Sequence, residues 1–503
     1  MFPVFLIGGN HLKPCNPGGH AAYQKQFVTA LRQYYPDPDA LPAATWDIME
    51  RFYALDLSYL DTMMADRYSS FGPEPRLPSC MMRSILASLQ FGITSYTRWA
   101  DQLKINPLYA VISGFPVGNT PGVGTFYDFI SRLWLSDDKN LLPHERIPKV
   151  KPKKPDRKGE KAQSVEKVTV DDLLQLYQKT PPSTDHPFAR LFEVYKKGFL
   201  DVSVSKGLMA KDALTIAGDG TPVRAGAMER SHSVKTPENL AKAEEQRVRW
   251  YSQPDCDVGW DSHRNCWYFG YDLYFLTAHS PEGELPVFPL LSPASRHDAI
   301  SFTHAWHLMK AFLPDYHVSK VLLDSAHDAM PFYKYFKEQG ITPFIDLNSK
   351  RGRNPKYKED FELGRDGIPI CKAGLKMKHD GSEPSKNRIK FRCPMMSHGK
   401  CICEKPCSDA TRGRTVHLAM KDNPRLINIP ARGSRAWKKE YNGRTSAERI
   451  NKRTKEDFLL ESGSHRSTKQ WYCRLFCIMM CIHLDAWELP FVPALKSLVQ
   501  KSA

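Results

Sequence analysis

The chain has 503 residues, too many for one compact core and enough for roughly two to four domains. Its 71 Lys and Arg against 55 Asp and Glu leave a formal net charge of +16, a surplus that favours a polyanionic partner, nucleic acid before anionic membrane. No run of about 18 apolar residues exists, which excludes a membrane-spanning helix. The apolar opening Met1–Gly9 lacks the basic start and the length of a signal peptide, so it reads as an early strand or frayed terminus. The 12 cysteines are then reduced thiols of a cytoplasmic protein, accounted for by burial or metal rather than by disulfides.

Residues 20 to 136 read as helical. The apolar positions in Met81–Phe91 fall at helical intervals, Gly92 breaks the run, Ser95 is placed to cap a helix over Tyr96–Leu103, and another helix covers about Thr125–Leu135. Short helices joined by tight turns are compatible with a helix-turn-helix and equally with an ordinary helical bundle. Residues 137 to 165 carry Lys149, Lys151, Lys153, Lys154, Arg157, Lys158 and Lys161 with almost no apolar residue, the composition of a solvated linker. Helical periodicity returns over 166 to 205.

From Ala213 the pattern changes. Leu214–Asp219 is a short apolar run ending in an acid, Cys266–Ala278 is aromatic and β-prone, and Leu285–Ser292 follows a Pro-Glu-Gly turn. A helix is expected over 298 to 312, a buried strand over Val318–Asp324 that also ends in an acid, a helix over 330 to 338 and a strand over Ile341–Leu347. This order describes a mixed α/β domain. Residues 349 to 440 interrupt it with a basic, turn-rich segment holding five of the 12 cysteines, and a last apolar helix covers about Thr468–Trp487. The domains are therefore 1–136, a linker 137–165, a core of 166–348 with 441–490, and an insertion 349–440.

Carboxylates at strand ends, joined by one from a helix, are rigid enough to hold hard divalent ions such as magnesium, which leave open positions for phosphate and water. A two-ion site of that kind activates the nucleophile and stabilises the leaving oxygen in phosphodiester chemistry. Asp219 and Asp324 qualify if their strands are neighbours. The third acid is Glu448 in Tyr441-x2-Arg444-x3-Glu448-x6-Lys455. At about 100° per residue these four side chains fall within roughly 60° of one another on a helix. Thr445-Ser-Ala-Glu448 is also a capping box, in which case Tyr441 and Arg444 precede the helix and Glu448 only satisfies a backbone amide.

The Tyr441, Arg444, Glu448 and Lys455 spacing resembles the Y-R-E-K signature of bacterial insertion-sequence transposases of the DDE class. Ala217-Gly-Asp219-Gly-Thr-Pro-Val, Phe269-Gly-Tyr-Asp-Leu-Tyr, Leu291-Ser-Pro-Ala-Ser-Arg-His-Asp298 and Val321-Leu-Leu-Asp324-Ser-Ala-His-Asp328 resemble, in the same order, the strand blocks of that family. The resemblance covers about 213 to 347 and 440 to 456, and is looser over the N-terminal helices. It implies a ribonuclease H-like core with an insertion before the last acid-bearing helix, and a helical N-terminal domain that binds DNA. The implied triad is Asp219, Asp324 and Glu448 on two Mg2+ or Mn2+ ions, with Tyr441, Arg444 and Lys455 on DNA phosphates. Also implied is a homodimer in a synaptic complex that cuts at terminal inverted repeats and joins 3′-hydroxyls to target double-stranded DNA, without membrane or nucleotide cofactor, on the bacterial nucleoid. Two departures stand out: members often carry Lys where this chain has Asp272, and Gly with an aromatic where it reads Ser325-Ala-His327, which makes Asp328 a fallback for Asp324. Trp437 is either a platform for an unstacked base or a core residue. Lys350, Arg351 and Arg353 would add salt-sensitive backbone affinity. The alternatives are a catalytically silent or domesticated DNA-binding protein on the same fold, and a nuclease or recombinase of defence or repair. A zinc hydrolase is disfavoured because no H-E-x-x-H occurs.

Cys393, Cys401, Cys403 and Cys407, with His398 between and Cys371 upstream, have the make-up of a tetrahedral structural zinc site, although the spacing lacks a C-x2-C pair. Cys473, Cys477 and Cys481 recur every fourth residue and read as one buried helix face. Purified full-length protein is expected to carry stoichiometric zinc by elemental analysis, and chelating it to unfold residues 370 to 410 while leaving magnesium on the acids. Protein purified without zinc overturns that site.

Overall fold

The structure, a computed structural model, describes residues 13–148 apart from Cys15, 168–226, 231–348 and, with short gaps, 356–487 and 495–500. The Met1–Gly9 segment, the linker cations from Lys149 to Lys161, and Lys350, Arg351 and Arg353 lie outside the described residues.

The central sheet has six strands: β1 (Leu214–Arg224), β2 (Asp257–Asp261), β3 (Cys266–Ser280), β4 (Gly283–Pro293), β5 (Val318–Leu323) and β6 (Thr342–Ile345). Along one edge β3 pairs antiparallel with β1; along the other it pairs antiparallel with β2 at Cys266–Gly270 and with β4 at Tyr271–Ser280. The strands β1 and β5 pair in parallel, as do β5 and β6. The order is thus β4–β3–β1–β5–β6, with β3 running against the other four. This is a mixed α/β protein with a mixed sheet, as the strand and helix order predicts.

Residues Gly270 to Ala278 of β3 are all buried, so the sheet must be covered on both faces. On one face lies the Asp298–Phe312 helix, where Phe302 packs edge-on to Tyr274 and against Trp306. On the other face Ala217, Leu322 and Phe344 meet Trp437 and Ala447. The Met330–Glu338 helix links β5 to β6.

The N-terminal region is helical, as expected, with helices at Gly19–Tyr34, Ala43–Ala54, Pro78–Gln90, Tyr96–Ile105, Pro107–Ser113 and Val123–Leu133. The Ser95 hydroxyl accepts from the Arg98 amide as the cap of its helix. The Pro78–Gln90 helix is buried from Pro78 to Leu89 because it packs on the Thr468–Ala486 helix, itself buried through Leu484. These helices and the sheet share one continuous apolar core, and Cys473, Cys477 and Cys481 lie inside it. Part of the segment read as linker is held: the Leu141 and Leu142 amides each donate to Asp255 at 2.7 Å, and Glu145–Arg146 pairs with Arg249–Trp250. No helix among the described residues is long and apolar enough to cross a membrane.

The insertion is a β unit rather than a string of turns. Strands Lys378–Glu383, Arg388–Arg392 and Thr415–Ala419 form an antiparallel sheet, and Ile389, Phe391, Val416 and Leu418 belong to a core separate from the main one. Its return to the main body is anchored by charge. Arg425 forks onto Asp328 at 2.8 and 2.5 Å, and Arg432 donates to the Ile345 carbonyl of β6 at 2.7 Å and to the Tyr333 hydroxyl at 3.0 Å. Asp328 is 1% exposed. Arg425→Ala strips the guanidinium from a buried carboxylate and is expected to cost about 3–5 kcal/mol of stability, read by denaturant unfolding.

Candidate active site

Strand register brings the first two acids together. Ala217 of β1 stands opposite Leu322 of β5, and both face the helical layer beneath Trp437 and Ala447. Two residues further on come Asp219, still in β1 and on that same face, and Asp324, just past the end of β5, close enough for its charge to act on Asp219. The recorded β1–β5 ladder stops at the Ala217–Leu322 pair, while β1 stays paired with β3 as far as Arg224. Asp219 therefore sits mid-strand, on an edge that has lost its neighbour, rather than at the strand end expected from the apolar run.

The glycines flanking Asp219 make room for its surroundings. A Cβ on Gly218 would lie 2.7 Å from the Tyr274 hydroxyl, and one on Gly220 would lie 2.9 Å from an Asp272 carboxylate oxygen. With Gly218 bare, Tyr274 reaches His327 Nε2 at 2.8 Å, and His327 Nδ1 meets Asp324 Oδ1 at 2.6 Å. An ionised carboxylate only accepts, so Nδ1 carries the proton and the ring orients Asp324. Burial works to raise the Asp324 carboxyl; the His327 hydrogen bond and charge, the Ala326 amide and Arg444 outweigh it and hold its pKa below the ordinary value. Asp219 is pushed up to about 7, by burial first and then by the charge of Asp324, with Glu448 and Asp298 adding to it and Arg444 opposing.

The third acid rides on a continuous helical run. Ser434 caps it, and it proceeds through Arg435–Tyr441, a tight turn at Asn442–Arg444, Thr445–Lys452 and a widened turn at Arg453–Asp457. Thr445 does not cap: its hydroxyl donates back to the Asn442 carbonyl at 3.0 Å. The capping-box reading thus gives way to one helical stripe of Arg444, Glu448 and Lys455. Glu448 pairs with Arg444 at 2.6 Å and its side chain is 49% exposed. Lys455 is drawn to the Pro222 carbonyl of β1 at 2.6 Å, a structural contact rather than an open phosphate site. Tyr441 stacks on Trp437 with ring centroids 4.6 Å apart, and Trp437 is buried, so the core reading of this tryptophan holds.

Asp328, the fallback ligand, is occupied by Arg425, the Tyr333 hydroxyl and the Asn348 amide. Asp272 is buried and accepts from the Ser301 hydroxyl at 2.8 Å; burial and then the charge of Asp298 push it up to about 8. Asp272 thus faces the interior. Sequence reasoning missed Asn451, whose side-chain amide donates to Asp219 Oδ2 at 3.0 Å. Its signal was its place three residues after Glu448 and seven after Arg444, on the same stripe.

The acids acting on Asp219, namely Asp324, Glu448 and Asp298, offer oxygens as ligand atoms. As they stand, no three His, Cys, Asp or Glu side chains among the described residues converge on a single ion, since Glu448 is turned to Arg444. In the insertion Cys393 is buried and Cys403 half-buried, while Cys407, His398 and the Cys401 side chain lie outside the described residues. No protein-family model matches the chain, and no curated protein matches it.

The acid shifts fix a pH dependence. The folded chain holds a proton on Asp219 up to about pH 7, against 3.8 for the ordinary carboxyl. This stabilisation is complete below the lower value and lost as the pH rises through the higher one. In chelator, the thermal midpoint is expected to fall between about pH 5 and 8, and less steeply in Asp219→Asn, by scanning fluorimetry.

Proposed function

We propose that the chain is a metal-dependent DNA transposase of the DDE class, with Asp219, Asp324 and Glu448 as its acids. The observation that carries this reading is the meeting of Asp219 and Asp324, on neighbouring strands, with a helix bearing Arg444 and Glu448, whose charges act on Asp219. The sheet order, with β3 alone antiparallel, supports a ribonuclease H-like core. The crowded carboxylates and an orphaned amide oxygen on Asn451 fit a hard cation better than zinc.

Two magnesium or manganese ions, when bound, supply nucleophile activation and leaving-group stabilisation. Asp219 and Asp324 would hold them, with His327 fixing the aim of Asp324, and Glu448 would join them if released by Arg444. Arg444 then has a phosphate oxygen to pair with in place of the glutamate. The charge of +16 draws in double-stranded DNA, both the element's terminal inverted repeats and the target. Two ends must be held together for joining, so the working form is a homodimer. The reading carries a bacterial, nucleoid-associated setting with it.

The Arg444–Glu448 ion pair favours a second reading, a DNA-binding protein on the same fold that no longer assembles its acids. Magnesium-dependent cutting of a labelled duplex carrying the gene-flanking DNA separates the two. Wild type is expected to cut at the element ends, while Asp219→Ala and Glu448→Gln bind those ends and cut no more than a protein-free blank. Tight binding without cutting by wild type supports the silent binder instead.

A further inference from the structure

The Asn451 side chain does more than its bond to Asp219 explains. It is 7% exposed and its Nδ2 is committed to Asp219 Oδ2 at 3.0 Å. Its Oδ1 is buried and meets no hydrogen-bond donor among the described residues. A buried carbonyl oxygen left without a partner is costly, and native structures seldom keep one without a water or ion to satisfy it.

The surroundings indicate which. Asp219 feels the charges of Asp324, Glu448 and Asp298, and Arg444, whose charge opposes them, is already paired with Glu448. An uncompensated cluster of carboxylates beside an unoccupied amide oxygen is an all-oxygen donor set of the kind that takes magnesium, manganese or calcium. We propose that Asn451 is a direct oxygen ligand of the divalent cation taken up beside Asp219.

This rests on the metal-dependent reading above and adds an order of events to it. Asn451 lies one helical step beyond Glu448 on the stripe facing β1. A first ion held by Asp219 and Asn451 needs no movement of Glu448. Glu448 is recruited only when DNA phosphate takes Arg444 from it. Asn451 thus separates loading the metal from arming the site, a division that sets its variants apart from those of Glu448.

The test is a manganese titration of the full chain without DNA at about pH 8, followed by the electron paramagnetic resonance of free Mn2+. Asn451→Leu is expected to weaken binding by about tenfold or more and Asn451→Asp to bind at least as tightly as wild type. Circular dichroism in chelator verifies the fold of each; should the leucine variant not fold, Asn451→Ser carries the same expectation. Wild-type affinity in folded Asn451→Leu or Asn451→Ser, with binding lost in Asp219→Asn, overturns the role of Asn451 and leaves the transposase reading intact. Absence of saturable binding in wild type overturns both.

Discussion

The parallel ladder between β1 and β5 pairs Ala217 with Leu322 and goes no further, and the acids Asp219 and Asp324 crowd where it stops. Below that point the strands are ordinary core, closed beneath Trp437 and Ala447. Beyond it β1 has a partner on the β3 side alone, and its free edge is taken over by side chains of the 435–457 helical run: Asn451 on Asp219, Lys455 on the Pro222 carbonyl. A one-residue slip between β1 and β5 would turn one of the two acids to the opposite face. The register is held by apolar burial on both faces, so the site inherits the rigidity of the core.

Around that edge the protein keeps several acids close without neutralising all of them. Asp324 has a buried histidine behind it, Asp328 has Arg425, and Asp272 has the Ser301 hydroxyl. Asp219 has Asn451 and the more distant Arg444. The acids tied to arginine or serine serve structure, Asp328 by fastening the insertion to the body. Asp219, at the open edge, and the interior Asp272 are the two pushed highest. At the open edge the proposed cation would relieve that strain.

Much of this was legible in the sequence. The helices at 298 to 312, 330 to 338 and 468 onwards follow from clear apolar periodicity, and the two acid-ended runs pointed at the right edge. The first strand was read too short because Gly218, Gly220 and Pro222 look like breakers; the long β3 gives β1 a partner that local propensity cannot anticipate. The insertion hid its strands behind charge, although Arg388-Ile-Lys-Phe-Arg392 alternates as a strand should. Thr445 and Glu448 satisfied a capping pattern that the chain does not use, because Ser434 had already started the helix. Asn451 shared the stripe of Arg444 and Glu448, but that spacing alone does not single out an asparagine until the strand beneath it is known.

The Thr468–Ala486 helix has a consequence of a different kind. It is buried along most of its length between the N-terminal Pro78–Gln90 helix and β4. The chain ends meet here as well: Arg51 pairs with Asp485, and Arg32 donates to the Leu498 and Val499 carbonyls. Contacts between residues some four hundred positions apart are the slowest to form, and the apolar faces they cover stay open until they do. On the ribosome, the Pro78–Gln90 helix and its neighbours therefore wait for Thr468–Ala486 to emerge before their core can close. A chain cut short before this helix would present their apolar side to solvent, making truncated products targets for degradation.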